Sequence, residues 1–272
     1  MTQTEKGKTF RALHERSGAF IIPNPWDIGS ARLLARLEFE ALATTSAGYA
    51  FSVGQRDHTV PREQMMTHVA DIASATDLPV SADLGNGFGD TPETAAETIR
   101  LAAAAGVVGC SIEDRGRNPD DPIYEIEFAA ERVRAAAEAA RALPFVFTLT
   151  ARAENYLVGR PDIKDTIKRL QAFEEAGADV LFAPGLTTKE DIVSVVRSVG
   201  RPVNVILGLK GVRLSLKDLS EIGVKRISVG SALSRAAFGA FLRAAHEMKT
   251  HGTFTFGDDA VNARELNDMF DA

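Results

Sequence analysis

The sequence predicts a single-domain α/β protein built as a (β/α)8 TIM barrel. Eight short apolar runs rich in β-branched residues alternate with longer amphipathic segments, the pattern of repeated βα units. Each run is nearly continuous in apolarity, as strands must be when helices cover one face and the barrel interior the other. The length, 272 residues, suits one barrel of the usual size, roughly 250 residues, without division into two domains.

In chain order the strand candidates are Phe20 to Ile22, Ala41 to Thr45, Pro79 to Asp83, Val107 to Glu113, Phe145 to Arg152, Val180 to Ala183, Val203 to Ile206 and Arg226 to Val229. Between the third and fourth, Thr91-Pro92-Glu93-Thr94 supplies a cap, a proline in the first helical turn and early acidic charge, so a helix runs on through Ala105. Gly106, Gly177 and Gly223 each stand between a helix and the next strand, where a left-handed residue closes the helix. These echoes mark one supersecondary unit used repeatedly, and eight units favour a closed barrel over an open doubly wound sheet. Residues 1–250 are read as the catalytic barrel, and residues 251–272, of lower periodicity, as a tail that docks at a subunit interface.

Composition narrows the function classes. Hydrophobic residues make up 45% and charged residues 25%, the balance of a chain that buries a core. The net charge of -6, with no basic run and one indole at Trp26, gives no footing for nucleic acid. A lone Cys110 cannot make an internal disulfide, and MTQTEKGKTF lacks the apolar core of a secretion signal, so a cytoplasmic setting is expected. No stretch approaches the ~20 apolar residues of a bilayer span, so no membrane partner is expected either.

Barrel enzymes build their sites where strands end, so polar residues just after apolar runs come first. The first strand runs into Asn24-Pro25-Trp26-Asp27, the second into Ser46-Ala47-Gly48-Tyr49, and the third ends in Ser81-Ala82-Asp83. The fourth ends at Glu113-Asp114, the fifth at Arg152-Ala153-Glu154, and the seventh carries Asn204. Asp83 and Glu113 are metal candidates, because Mg²⁺ takes one or two carboxylates directly and keeps several waters. Arg152 offers a planar fork for a carboxylate, and backbone N–H groups at Ser46 to Gly48 could hold the ligand's other end.

Each feature has a plainer reading beside the chemical one. A strand-end acid or arginine can belong to a structural ion-pair network. Trp26 can pack under the rim, Asn204 can satisfy backbone groups, and Tyr49 can cap the barrel with its hydroxyl in water. Cys110 lies inside the fourth strand and reads as a small buried hydrophobe rather than a nucleophile. His14, His68, His246 and His251 fall in predicted helices or the tail and read as surface residues, whereas His58, beside Asp57 after the second strand, sits where chemistry can reach it.

Several segments together resemble the isocitrate lyase/phosphoenolpyruvate mutase superfamily over nearly the whole chain. The carriers are Pro23-Asn24-Pro25-Trp26-Asp27, Thr45-Ser46-Ala47-Gly48 followed by Gly54-Gln55-Arg56-Asp57, Ser81-Ala82-Asp83 with Gly87-Phe88-Gly89, Ser111-Ile112-Glu113-Asp114 and Ala151-Arg152-Ala153-Glu154, extended by Gly177-Ala178-Asp179 and Pro202-Val203-Asn204-Val205. The resemblance implies Mg²⁺-dependent chemistry (Mn²⁺ as a substitute) on small 2-oxo or enol acids in a homo-oligomer, a dimer or a tetramer with exchanged C-terminal helices. It further implies Asp83 and Glu113 as metal-site acids and Arg152 as the substrate-carboxylate arginine. Asp57 becomes the acid of a mobile loop, and Ser46 and Ala47 the substrate-binding turn. Trp26, Gly48, Glu154 and Asn204 complete the expected substrate site, with Tyr49 a catalytic candidate.

Two departures from the family pattern matter. Ser81 stands where an Asp-x-Asp pair is common, and the loop from Arg115 to Ile123 has neither the Lys-Lys-Cys-Gly run of the citrate-type lyases nor the Lys and Asn of the mutases. Enolate protonation then falls to water, Tyr49 or a group near His58, while Arg115 and Arg117 either meet a second acidic group of the ligand or form a solvated loop face. The expected reaction is carbon–carbon cleavage or decarboxylation of an oxaloacetate-like acid through an enolate. Alternatives are phosphonopyruvate/phosphoenolpyruvate-type C–P chemistry, an oxo-acid-binding barrel with little turnover, and a phosphate-binding aldolase using Lys210 with Gly208 and Gly230.

Overall fold

The computed structural model describes residues 1–116, 118 and 120–271. Helix α1 (Gln3–Glu15) precedes β1 (Phe20–Ile22), α2 (Ile28–Arg36), β2 (Leu42–Ala43), α3 (Ser46–Ser52), α4 (Arg62–Ser74), β3 (Val80–Asp83), α5 (Pro92–Ala104) and β4 (Gly109–Glu113). There follow α6 (Ile126–Arg141), β5 (Thr148–Arg152), α7 (Ile163–Glu175), β6 (Val180–Phe182), α8 (Lys189–Ser198), β7 (Val203–Ile206), α9 (Leu216–Glu221), β8 (Arg226–Ser228), α10 (Ala232–His251) and α11 (Ala263–Phe270). All eight expected strands are present, trimmed mainly at their N-terminal ends. The observed β5, for example, omits Phe145 to Phe147, which lie before the ladder with β4 begins.

The strands are parallel in the order β1-β8-β7-β6-β5-β4-β3-β2. Between β1 and β2, where no ladder forms, the Ala43 N–H donates to the Pro23 carbonyl at 3.1 Å and closes the ring. The core is continuous from the strands into the covering helices, whose inner faces are built largely of alanine: Ala95, Ala96, Ala102 and Ala103 on α5 meet Ala129, Ala130, Ala136 and Ala137 on α6. Small side chains let these helices approach one another and the sheet closely.

The expected helix punctuation is borne out. Thr91 accepts from the Thr94 N–H at the start of α5, and Gly106, Gly177 and Gly223 have φ of 97°, 106° and 89°. Helix α1 contains His14, as expected, and its start is set by Thr2-x-x-Glu5, a capping box in which Thr2 accepts from the Glu5 N–H and Glu5 accepts from the Thr2 N–H. It packs Phe10 and Leu13 against Phe20, Ile22, Ala41 and Val108, across the N-terminal ends of the strands.

That packing corrects the reading of His14 as a surface residue. It is 6% exposed, its ring stands edge-on to Phe10 and Phe20, and burial pushes its pKa down to about 3. His68 is likewise buried in α4, stacked on Tyr49 at 3.8 Å between centroids, with its pKa pushed down by burial to about 4. Aromatic and alanine neighbours at helical spacing are compatible with a neutral imidazole, which is why a polar letter in a helix did not mean solvent here. Residues beyond α10 fold back on their own chain: Arg32 of α2 donates to the Phe270 carbonyl and lies over the Phe270 ring.

Candidate active site

Strand register assembles the site. Asp83, Glu113 and Arg152 each end their strands, Glu113 is the ladder partner of Arg152, and Asp83 is the partner of Ser111 two residues below Glu113. The period of two along a strand then turns all three side chains into the barrel mouth. Arg152 Nη1 donates to Asp83 Oδ1 at 2.9 Å, while Nε and Nη2 donate to Glu154 Oε1 at 3.1 and 2.8 Å. Nη2 also lies 3.2 Å from Glu113 Oε2.

Three carboxylates therefore surround one guanidinium, and the cluster carries surplus negative charge. Burial, opposed in part by Arg152, raises Glu113 well above the ordinary carboxylate range. Burial pushes Asp83 up too, but Arg152 and the N–H and hydroxyl of Ser46, at 3.0 and 2.8 Å, hold it below its usual value. The decisive detail is at Glu113: both carboxylate oxygens are buried without a hydrogen-bond partner, the Arg152 contact being an ion pair off the hydrogen-bond direction. A desolvated carboxylate facing a polar cavity, with a second carboxylate beside it, fits a hard divalent cation that brings its own water. Among the described residues no three His, Cys, Asp or Glu side chains are grouped to hold a metal, so any ion here would have few direct protein ligands.

Buried polar groups fix this layer from below and behind. Asp114 accepts from the Glu154 N–H at 2.8 Å and pairs with Arg169 of α7 at 3.2 Å, pinning the turn that carries Arg152 and Glu154. Arg132 of α6, 1% exposed, donates to the Glu113 carbonyl at 3.0 Å and to the carbonyls of Asn86 and Gly89. Asn24 bridges the ring, donating to the Thr44 carbonyl and accepting from the N–H groups of Val229 and Gly230.

A cavity of about 370 Å³ opens over the cluster, lined by Asn24, Ser46, Ala47, Asp57, His58, Ser81, Asp83, Ser111, Glu113, Arg115, Arg152, Glu154, Asn204, Arg226 and Ser228 among others. A second compartment of about 800 Å³ adjoins it, sharing Ser46, His58, Glu113 and Arg115 and walled by Val60, Met65, Leu84 and Phe88. At their boundary Arg115 Nη1 lies 3.0 Å from His58 Nε2. The same nitrogen lies 3.5 Å from Asp57 Oδ2.

Comparison with known proteins gives the family. A family model described as phosphoenolpyruvate phosphomutase matches residues 10–249. The chain belongs to the isocitrate lyase/phosphoenolpyruvate mutase superfamily. A crystal structure of a protein assigned as a lyase/mutase, from Burkholderia cenocepacia J2315, is 62% identical, with a TM-score of 0.97 over 99% of this chain and 97% of that one. The 2-methylisocitrate lyase of Bacillus subtilis strain 168 is 28% identical over 98% of this chain and 90% of its own length. The structure of 2,3-dimethylmalate lyase is 26% identical, with a TM-score of 0.86 over 98% and 94% of the two chains.

Within this superfamily member, the sequence-expected residues Ser46, Ala47, Asp57, Asp83, Glu113, Arg152, Glu154 and Asn204 all line one cavity. Trp26, Gly48 and Tyr49 do not. The Tyr49 ring lies on His68 and its hydroxyl accepts from Gln64 Nε2 at 3.3 Å. Gly48 is a place of close approach, where an added Cβ would stand 2.5 Å from Thr45 Cγ2 and 3.2 Å from the Trp26 Cβ. The N–H groups of Ser46 and Gly48, expected to hold the ligand, are already taken by Asp83 Oδ2 and Thr45 Oγ1. Arg117 lies outside the described residues.

Sequence reasoning missed Arg226. It opens β8 directly after Lys225, and its position two residues before Ser228, on the same side of the strand, was the available signal. The supporting arginines Arg132 and Arg169 were also missed, though each stands on the apolar face of an otherwise amphipathic helix.

Proposed function

We propose that this lyase/mutase superfamily member cleaves a carbon–carbon bond of a small, oxaloacetate-like 2-oxo acid, by decarboxylation or by scission, through an enolate. The observation that carries this reading is the meeting of Arg152 with Asp83 and Glu113, and the unpartnered Glu113 carboxylate within it. Names among the relatives support a small polyacid and carbon–carbon cleavage, since 2-methylisocitrate and 2,3-dimethylmalate are both branched hydroxy polyacids whose cleavage releases a 2-oxo acid.

A divalent ion, Mg²⁺ or in its place Mn²⁺, would be held by Asp83 and Glu113 and would supply positive charge for the enolate oxygen. Those carboxylates then have less call on Arg152, whose Nη1 bonds Asp83 alone and becomes available as a donor to the substrate carboxylate. Glu154 retains Nε and Nη2 and keeps the fork oriented. Ser81 and Ser111 offer hydroxyls to water between the acids and the ligand. The enolate left by cleavage takes its proton from water at the mouth, beside His58, whose Nε2 lies 3.0 Å from Arg115 Nη1 and 3.5 Å from Asp57 Oδ2. The buried Cys110 has no part in this chemistry. Helix α10 exposes Leu233, Phe241, Leu242 and Met248, which supports a homo-oligomer covering that face.

The test combines thermal shift and turnover with pyruvate, oxaloacetate and 2-oxoglutarate, each with Mg²⁺ or chelator. Wild type should show acid-dependent stabilisation that needs the cation, and Arg152→Ala should lose it. Turnover that persists in chelator, or acid binding that survives Arg152→Ala, would remove the proposal.

A further inference from the structure

Arg226 is a buried cation without an acidic partner. It is 5% exposed at the start of β8, donating from Nε to Asn204 Oδ1 and from Nη2 to Thr150 Oγ1, both at 2.9 Å. Nη1 is buried with no hydrogen-bond partner, and no salt bridge to Arg226 is found among the described residues. Burial alone pushes its pKa down, to about 9. An unpaired guanidinium inside a barrel is costly, and neither Asn204 nor Thr150 offsets its charge.

The residue belongs to the cavity already described, below the strand ends: Arg226 lies two residues before Ser228, and its partner Thr150 two before Arg152. The positive charge of Arg152 is absorbed by Asp83, Glu113 and Glu154. Arg115 sits at the half-exposed rim in contact with His58, where solvent screens it. Of the cations around the cavity among the described residues, Arg226 is therefore the one whose charge is both desolvated and uncompensated, and two hydrogen bonds hold it in a single orientation.

We propose that Arg226 is the specificity-determining residue that makes the site prefer substrates with a second negative charge, receiving the distal acidic group on the cavity floor beneath Arg152. This rests on the oxo-acid reading of the cavity and names the ligand more closely, as a small dicarboxylate rather than a monocarboxylate. Asn204 is then a positioning residue, which aims the guanidinium through Nε.

The experiment is calorimetric titration, with Mg²⁺ present, of L-malate and L-lactate, which share a 2-hydroxy acid head and differ in the second carboxylate. Arg226→Gln should weaken malate by roughly 10- to 100-fold, the loss expected for a charged hydrogen bond, and lactate by less than about 3-fold. Arg226→Lys should recover part of the malate affinity. Equal losses for both acids, no loss for either, or a malate-selective loss in Arg115→Gln instead would overturn the assignment. Should Arg226→Gln fail to fold, Thr150→Val keeps the arginine and removes its Nη2 partner, and it should still lower malate affinity selectively; an equal effect on lactate overturns the proposal in that form. A wild-type protein that binds neither acid overturns the oxo-acid reading itself, which separates that failure from this one.

Discussion

Arg152 Nη2 and Glu113 Oε2 stand 3.2 Å apart with no hydrogen bond between them, and neither oxygen of Glu113 has another partner. Burial has taken the carboxyl out of water and the nearest cation has only partly replaced the water. The protonated form is favoured as a result, and Glu113 titrates above its usual value. A raised carboxyl contributes most to stability below its unfolded pKa, near 4.5, and that contribution is lost as pH rises through the folded value.

Glu113→Gln removes the buried charge while keeping the shape. At pH 8 in chelator the variant should be more stable than wild type in urea unfolding, because the buried charge is gone. At the same pH the wild type should gain stability from millimolar Mg²⁺, more so than at pH 6, because the ion competes with a proton for the same oxygens. The variant should show no such gain. A Mg²⁺ response unchanged by the substitution would remove Glu113 from the cation site.

Asp114 tests the support beneath the site. It joins the Glu154 N–H to the Arg169 guanidinium, and burial raises its pKa to about 7. Asp114→Ala leaves Arg169 with Asp165 as its remaining carboxylate, beside the Tyr124 carbonyl, and the Glu154 N–H unpaired, which should cost about 3–5 kcal/mol. Asp114→Asn keeps an acceptor for the N–H and should cost less. Chemical denaturation of both variants gives the order, and equal losses would mean that the N–H contact contributes nothing.

Much of this was legible from residue order alone, and the reason is geometric. In a parallel barrel the last residue of a strand is at the mouth by construction, so Asp83, Glu113 and Arg152 were identifiable once the apolar runs were placed. Arg226 was hidden because it begins its strand, away from the mouth where polar strand ends were sought, and a run such as Arg226-Ile227-Ser228 does not say which face is inward until neighbouring registers are known. Tyr49 was placed in the catalytic mouth by adjacency to Ser46, but it sits one helical turn on, where α3 has rotated the ring towards His68. His14 and His68 misled because their partners, Phe10 with Phe20 and Tyr49, come from packing that the sequence does not display.

Those two histidines set the acid limit of the fold. Both are buried and neutral, with pKa values lowered to about 3 and about 4 from 6.5. A depressed histidine contributes stability fully above the unfolded value and loses it as pH falls towards the folded one. For His68 the window runs from 6.5 down to about 4 and amounts to roughly 3 kcal/mol. Urea unfolding at pH 7.5, 5.5 and 4.5 should show stability falling through this range, and His68→Gln should flatten the slope. A slope unaltered by that change would place the acid sensitivity elsewhere.

Cys110 offers the last test, since a lone thiol in a barrel strand invites a nucleophilic role. The side chain is fully buried, and burial pushes its pKa far above the usual thiol range, so the thiolate that such chemistry needs is not populated near neutral pH. Its neighbours in the chain, Gly109 and Ser111, occupy the inward-facing positions of β4, which turns Cys110 away from the cavity. Native protein should therefore resist a thiol reagent such as dithionitrobenzoate until it is unfolded. Cys110→Ala should retain wild-type kcat and KM while losing about 1 kcal/mol of stability to the small void. Rapid labelling of the folded protein, or a folded Cys110→Ala protein without activity, would return the thiol to the mechanism and displace Arg152 and the two carboxylates from its centre.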